Sequence, residues 1–112
     1  MYPKYEIGDL VHDSNPDATR WIGEIVNITS NKNLCYLQKQ KLSKKEYKQF
    51  IANWGDDDGF VYYIRTDYPV KRITKKGMLA QGGSKKQWKK MPLIKDLALR
   101  EETVVLIKKG QK

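Results

Sequence analysis

Phe60-Val61-Tyr62-Tyr63-Ile64-Arg65 is the strongest strand signal in the chain. Aromatic and β-branched side chains in succession suit a pleated, half-buried surface. Alternation sends Tyr62 and Tyr63 to opposite faces, so one belongs to a core and the other to a surface. The acidic turn Asp56-Asp57-Asp58-Gly59 precedes this strand, and Thr66 to Pro69 ends it, with Val70 to Thr74 resuming as a short edge strand. Upstream, Trp21 to Thr29 reads as a strand built on Ile22, Ile25, Val26 and Ile28, in which Gly23 marks a bend or a close backbone approach. Tyr5 to His12 reads as another, with Gly8-Asp9 as a turn or bulge. Asp13 to Thr19 is dense in turn formers and reads as a loop. Ser30 to Asn33 is a turn into Leu34 to Gln38, which reads as the second arm of a hairpin. Thr103 to Ile107 closes the set.

One segment changes period. Ser43 with Glu46 makes a capping box, and Tyr47, Phe50, Ile51 and Trp54 recur at helical spacing, so a helix is predicted from Ser43 to Trp54, ended by Gly55. Its outer face carries Lys44, Lys45 and Lys48. Pro92 to Leu99 suggests one or two further helical turns. Five or six short strands with one small helix argue for a mainly β fold, a compact barrel formed by a single domain over residues 1–112.

The 112 residues include one His and one Cys, too few for a disulfide or for a zinc site of the usual kind. No apolar run approaches the ~18 residues of a membrane span. MYPKYEIGDL lacks the basic head and apolar stretch of a signal peptide. The expectation is an intracellular, soluble domain without metal or cofactor.

The net charge of +9 is concentrated in one place. Lys71, Arg72, Lys75, Lys76, Lys85, Lys86, Lys89, Lys90 and Lys95 lie in a segment with no acidic residue, while the other 13 cations are matched by 13 acids. Such a segment attracts polyanions through phosphate contacts and counterion release. Lysine, a point charge rather than a fork, favours backbone contact over base reading. With glycines at 77, 82 and 83 and no clear apolar period, Lys75 to Met91 reads as a long exposed loop, mobile in the absence of a partner. Its large apolar residue, Trp88, lies between two lysine pairs. There it either stacks on a base or sugar, as in single-strand binding, or tucks back to anchor the loop. A second basic stretch, Lys108 to Lys112, forms the tail.

Ile7-Gly8-Asp9-Leu10-Val11 and Trp21-Ile22-Gly23-Glu24-Ile25-Val26-Asn27-Ile28 resemble the opening strands of SH3-like small barrels, a group that includes KOW-type and Tudor-like modules. Phe60 to Arg65 and Thr103 to Ile107 resemble the later strands. Small phage proteins often look similar. The resemblance implies a binding module in the cytoplasm (the host's, for a phage protein) or in a virion, with the ligand meeting the loops or the open barrel face. The stretch Asp13 to Arg20 lacks the further glycines of a KOW motif, and the helix and basic loop are insertions relative to a minimal barrel. A Tudor-like aromatic cage would draw together Trp21, Tyr36, Tyr63 and Asp67.

Catalytic patterns are incomplete. Asp56-Asp57-Asp58 lacks the alternating ligands of a calcium loop and reads as a structural turn. Pro16-Asp17 with Glu24-Ile25-Val26 has valine where a metal-dependent nuclease needs lysine. His12 has no nucleophile motif beside it, Cys35 lies among apolar residues as a buried thiol, and no phosphate-loop order of glycines occurs. The sequence therefore predicts a non-enzymatic module that binds DNA or RNA with little sequence preference, through Lys71, Arg72, Lys75, Lys76, Lys85, Lys86, Trp88, Lys89 and Lys90. The alternative is an accessory or virion protein whose basic arm meets an acidic protein surface.

Overall fold

Alternation along Phe60–Val70 (β3) buries Tyr62, Ile64 and Thr66 on one face, with Tyr63 and Arg65 on the other more exposed. The computed structural model describes residues 2–15 and 20–110. Pro16 and Asp17, most of the Asp13–Thr19 loop and the end of the basic tail lie outside them. β3 pairs with Gly23–Ser30 (β2) on one side and Ile94–Arg100 (β4) on the other. Leu10–Asp13 (β1) pairs with β2 and with Val104–Lys108 (β5). All pairings are antiparallel, in the order β4-β3-β2-β1-β5.

This sheet is curled. β4 and β5 lie at its opposite edges, yet only the 3₁₀ turn Glu101–Thr103 joins them. Across a flat five-stranded sheet the edges would stand ~19 Å apart. The four residue steps from Arg100 to Val104 reach at most ~14 Å, so the edges must approach at that corner. Two irregularities supply the curvature: Val26 is an extra residue in the β2–β3 ladder, and Thr66 to Pro69 bulge from the β3–β4 ladder. Gly23 makes the close approach expected of it, since a Cβ there would lie 2.4 Å from Ile64 Cγ2 and 3.1 Å from the Arg65 carbonyl oxygen.

Inside the curl, Tyr5, Val11, Trp21, Ile25, Tyr62, Ile64, Val70, Leu97, Leu99 and Val104 form the core. Burial of each aliphatic member stabilises the fold by about 1.5–3 kcal/mol. Tyr62 is fully buried, and its hydroxyl donates to Glu101 Oε2 (2.6 Å) and accepts from the Tyr5 N–H (3.1 Å). The Tyr5 hydroxyl in turn donates to the Val104 carbonyl at 3.0 Å.

Several expectations are corrected. No ladder joins β4 to β5 among the described residues, so the sheet is open, not a closed barrel. Strand structure begins at Leu10, not Tyr5, because Gly8 (φ +96°) and Asp9 make the turn that hydrogen-bonds to Ile25 of β2. Leu34 to Gln38 is not a hairpin strand; it lies in helix α1 (Asn31–Lys41), N-capped by Ser30. Asn31 holds α1 in place: fully buried, it donates to the Gly55 and Asp57 carbonyls and accepts from Trp54 Nε1. Pro92 to Leu99 is not helical; β4 begins at Ile94, where pairing with β3 outweighs the helix-forming leucines and alanine. Val70 ends β3 and starts no new strand. Helix α2 (Lys44–Trp54) has the expected capping box on Ser43 and Glu46, with Gly55 at its C-terminus.

The acidic turn is structural. Asp57 accepts from both terminal nitrogens of Arg100 (2.8 and 3.2 Å), and Arg100 also donates to the Trp54 carbonyl. Bonding to Asp57 outweighs burial and raises the Arg100 pKa, while the same pairing holds the Asp57 carboxyl low.

Candidate nucleic-acid interface

The segment expected as a loop is a helical hairpin: α3 (Lys75–Ala80) followed by α4 (Lys85–Lys90). Thr74 caps α3 through the Gly77 N–H (3.0 Å). Ser84 caps α4 in a full capping box with Gln87, at 2.7 and 3.1 Å. Between them the chain reverses at Gly82 (φ +86°), a conformation that favours glycine. At Gly83 a Cβ would collide with Met78, so the turn is as tight as the backbone permits. The sequence did carry this signal. Ser84-x-x-Gln87 is the same motif as Ser43-x-x-Glu46, and it follows a Gly-Gly pair that suits a helix end.

The hairpin is fixed to the sheet by Lys71 and Trp88. Lys71, just beyond β3, donates through Nζ to the Trp88 and Lys89 carbonyls (2.7 and 3.0 Å). These carbonyls lie at the C-terminal end of α4, where that of Trp88 also accepts from the Met91 N–H at 3.1 Å. The same ammonium lies 4.3 Å from the centre of the Trp88 ring. Trp88 Nε1 donates to the Ile73 carbonyl at 2.9 Å. The half-buried indole is therefore held inward by its N–H and covered on one side by a lysine.

The other cations face outward. Successive helix positions turn by ~100°, so Lys85, Lys86, Lys89 and Lys90 fall within an arc of ~140°, with Trp88 outside it. All four are exposed, as are Arg72, Lys76 and Lys95, while Lys75 is half-exposed. Lys95 lies on β4. The two helices bring Lys75 of α3 against Lys85 of α4, with Lys89 nearby. The side-chain hydrogen bond with Lys85, and then the like charge of Lys85, lower the Lys75 pKa below the ordinary lysine value.

Beside the hairpin, a cleft of about 480 Å³ is lined by Asn53, Trp54, Arg72, Met78, Met91 and Arg100 among others. A larger cleft, about 700 Å³, is lined by His12, Arg20, Trp21, Asp67 and Tyr68 among others. The aromatic cage is not assembled: Trp21 and Asp67 share that cleft, Tyr63 lines a different groove, and Tyr36 stands exposed on α1. His12 Nδ1 lies 3.0 Å from the Asp13 backbone carbonyl. Cys35 is buried, and burial pushes its thiol pKa up. Among the described residues no three His, Cys, Asp or Glu side chains cluster as metal ligands, and no helix is long and apolar enough to cross a membrane.

No family model, curated protein or solved structure matches this chain.

Proposed function

We propose that this protein is a non-enzymatic nucleic-acid-binding module that grips the phosphate backbone with the α3–α4 hairpin. The observation that carries the reading is the packing of α3 against α4, which gathers lysines from both helices on a hairpin with no acidic residue between Lys71 and Lys95. Such a like-charge cluster is relieved when an anion sits between its members. Lys76, Lys86 and Lys90 extend the surface, and Arg72 joins it from the sheet side. Trp88 and Lys71 act as anchors in this reading, holding the lysines in position instead of stacking on bases. With lysine rather than arginine at the contacts, affinity comes from the backbone and sequence preference is weak.

The curled sheet is taken, in the same proposal, as an SH3-like small barrel left open along one side. Its strand order, its bulged β2 and the short 3₁₀ link between the edge strands support that reading. The buried, unreactive Cys35 suits a reducing cytoplasm.

Fluorescence anisotropy with labelled single-stranded DNA, duplex DNA and RNA across a salt series tests the proposal. If four to six lysines meet phosphates on a duplex, log K falls against log salt with a slope of about −4 to −5. Changing Lys85, Lys86, Lys89 and Lys90 together to Glu abolishes that binding while circular dichroism stays native. Absence of binding to all three ligands at low salt overturns the reading and leaves an acidic protein surface as the target of the hairpin.

A further inference from the structure

The two edges of the sheet differ in character. The β4 edge carries Lys95 and Asp96, with Asp96 bonded to Arg65 Nε at 3.0 Å, and charges of this kind discourage edge pairing. The β5 edge carries Val105, Leu106 and Ile107, which are 36%, 37% and 45% exposed. Three consecutive apolar residues therefore face solvent along an open edge.

The backbone register specifies what that edge can do. The Ser14 N–H donates to the Thr103 carbonyl at 2.9 Å, so Thr103 turns its backbone groups toward β1. Antiparallel alternation then turns those of Val105 inward and those of Val104 and Leu106 outward. The ladder irregularity lies between Leu10 and Val11, beyond this window. The Val104 N–H closes the 3₁₀ turn onto the Glu101 carbonyl, so the Leu106 N–H and the Val104 and Leu106 carbonyls are the outward groups with no ladder partner among the described residues.

We propose that β5 is a self-association edge through which two copies of this chain pair antiparallel, about a twofold axis at Val105. Among registers of the correct parity, this one sets Val104 of one copy opposite Leu106 of the other, so that the open Leu106 N–H of each copy donates to the Val104 carbonyl of its partner. Charge complementarity selects the same partner and direction. Glu101-Glu102 precede β5 and Lys108-Lys109 end it, so twofold pairing brings Lys108 of each copy to the Glu102 end of the other. A parallel arrangement would set like charges together. The pairing is independent of the nucleic-acid reading, although a dimer would present two basic hairpins.

Sedimentation equilibrium of the full chain from micromolar to millimolar concentration is the test. The wild type shows a concentration-dependent dimer, and Val105→Lys, which sets two ammonium groups together at the axis, remains monomeric. Lys108→Glu, an exposed change at the strand end, weakens association on the order of ten-fold. Val105→Cys forms a covalent dimer on oxidation, because facing residues of a non-hydrogen-bonded pair approach to ~4.5 Å between Cα atoms. Tyr36→Cys, on exposed α1, does not. Circular dichroism verifies that each variant folds. A wild type that stays monomeric at millimolar concentration overturns the proposal, as does a dimer that neither Val105→Lys nor Lys108→Glu weakens.

Discussion

Replacing Lys71 by Met removes the cation that ties α4 to the sheet while retaining an apolar stem against Trp88. The ammonium makes two charge-assisted hydrogen bonds to the end of α4, at 2.7 and 3.0 Å, and covers the indole at 4.3 Å. A buried bond to a charged group is worth about 1.5–3 kcal/mol. Lys71 is only half-buried and its bond to the Lys89 carbonyl is exposed, so the low end applies, with about 0.5–1 kcal/mol more from the ring. The expected loss is about 2–3 kcal/mol, and it is local, because a six-residue helix cannot persist without tertiary support. Native-state hydrogen exchange reads it directly. The Trp88 and Met91 amides, bonded to the Ser84 and Trp88 carbonyls, lose about 30- to 150-fold protection. The amides of Ile25, Tyr62 and Ile64 in the sheet keep theirs. The reasoning is refuted if α4 protection changes by less than about three-fold. It is refuted equally if hairpin and sheet amides lose protection together, since the hairpin would then open only with the whole domain.

Three further outcomes are expected. Asp9 is buried and accepts from the Gly110 and Glu6 N–H groups at 2.9 and 3.0 Å, with Lys109 Nζ at 3.4 Å. Burial pushes its carboxyl pKa up, but these donors outweigh it and the net shift is downward. Its contribution is therefore complete above the ordinary carboxylate value and disappears as pH falls through the depressed folded one. Urea unfolding should show wild-type stability falling below about pH 4, whereas Asp9→Asn is already about 2–3 kcal/mol weaker at neutral pH and flatter in acid; equal stability at neutral pH would refute this role for Asp9. Tyr62→Phe leaves the buried Tyr5 N–H without its acceptor and should cost about 1–3 kcal/mol in the same assay; an unchanged midpoint would show that the network contributes nothing. Gly23→Ala forces a methyl against Ile64 Cγ2 and the Arg65 carbonyl, for an expected loss of about 1–3 kcal/mol, and a neutral result would mean that β2 shifts without penalty.

Local chemistry alone determined much of this protein. The Ser43–Glu46 box and helical spacing placed α2, period-two aromatics placed β3, Gly23 signalled the close approach of β2 to β3, and the acidic turn read as structural. The charge asymmetry was also complete in the sequence, because it depends only on which residues occur between Lys71 and Lys95. Other features were settled by partners distant along the chain. Leu34-Cys35-Tyr36-Leu37 is a short apolar run compatible with strand or helix. The contacts of Asn31 with Trp54, Gly55 and Asp57, more than twenty residues away, fix it as α1. β4 is rich in helix formers, yet β3 offers it a ladder that no local propensity anticipates. The Ser84–Gln87 box was legible and favoured a helix. Its docking required Lys71 and Ile73 from beyond the end of β3, and the packing of α3 on α4 sets Lys75 against Lys85. A sequence specifies which charges are present; the distances between them, and so the field offered to a ligand, come from tertiary packing.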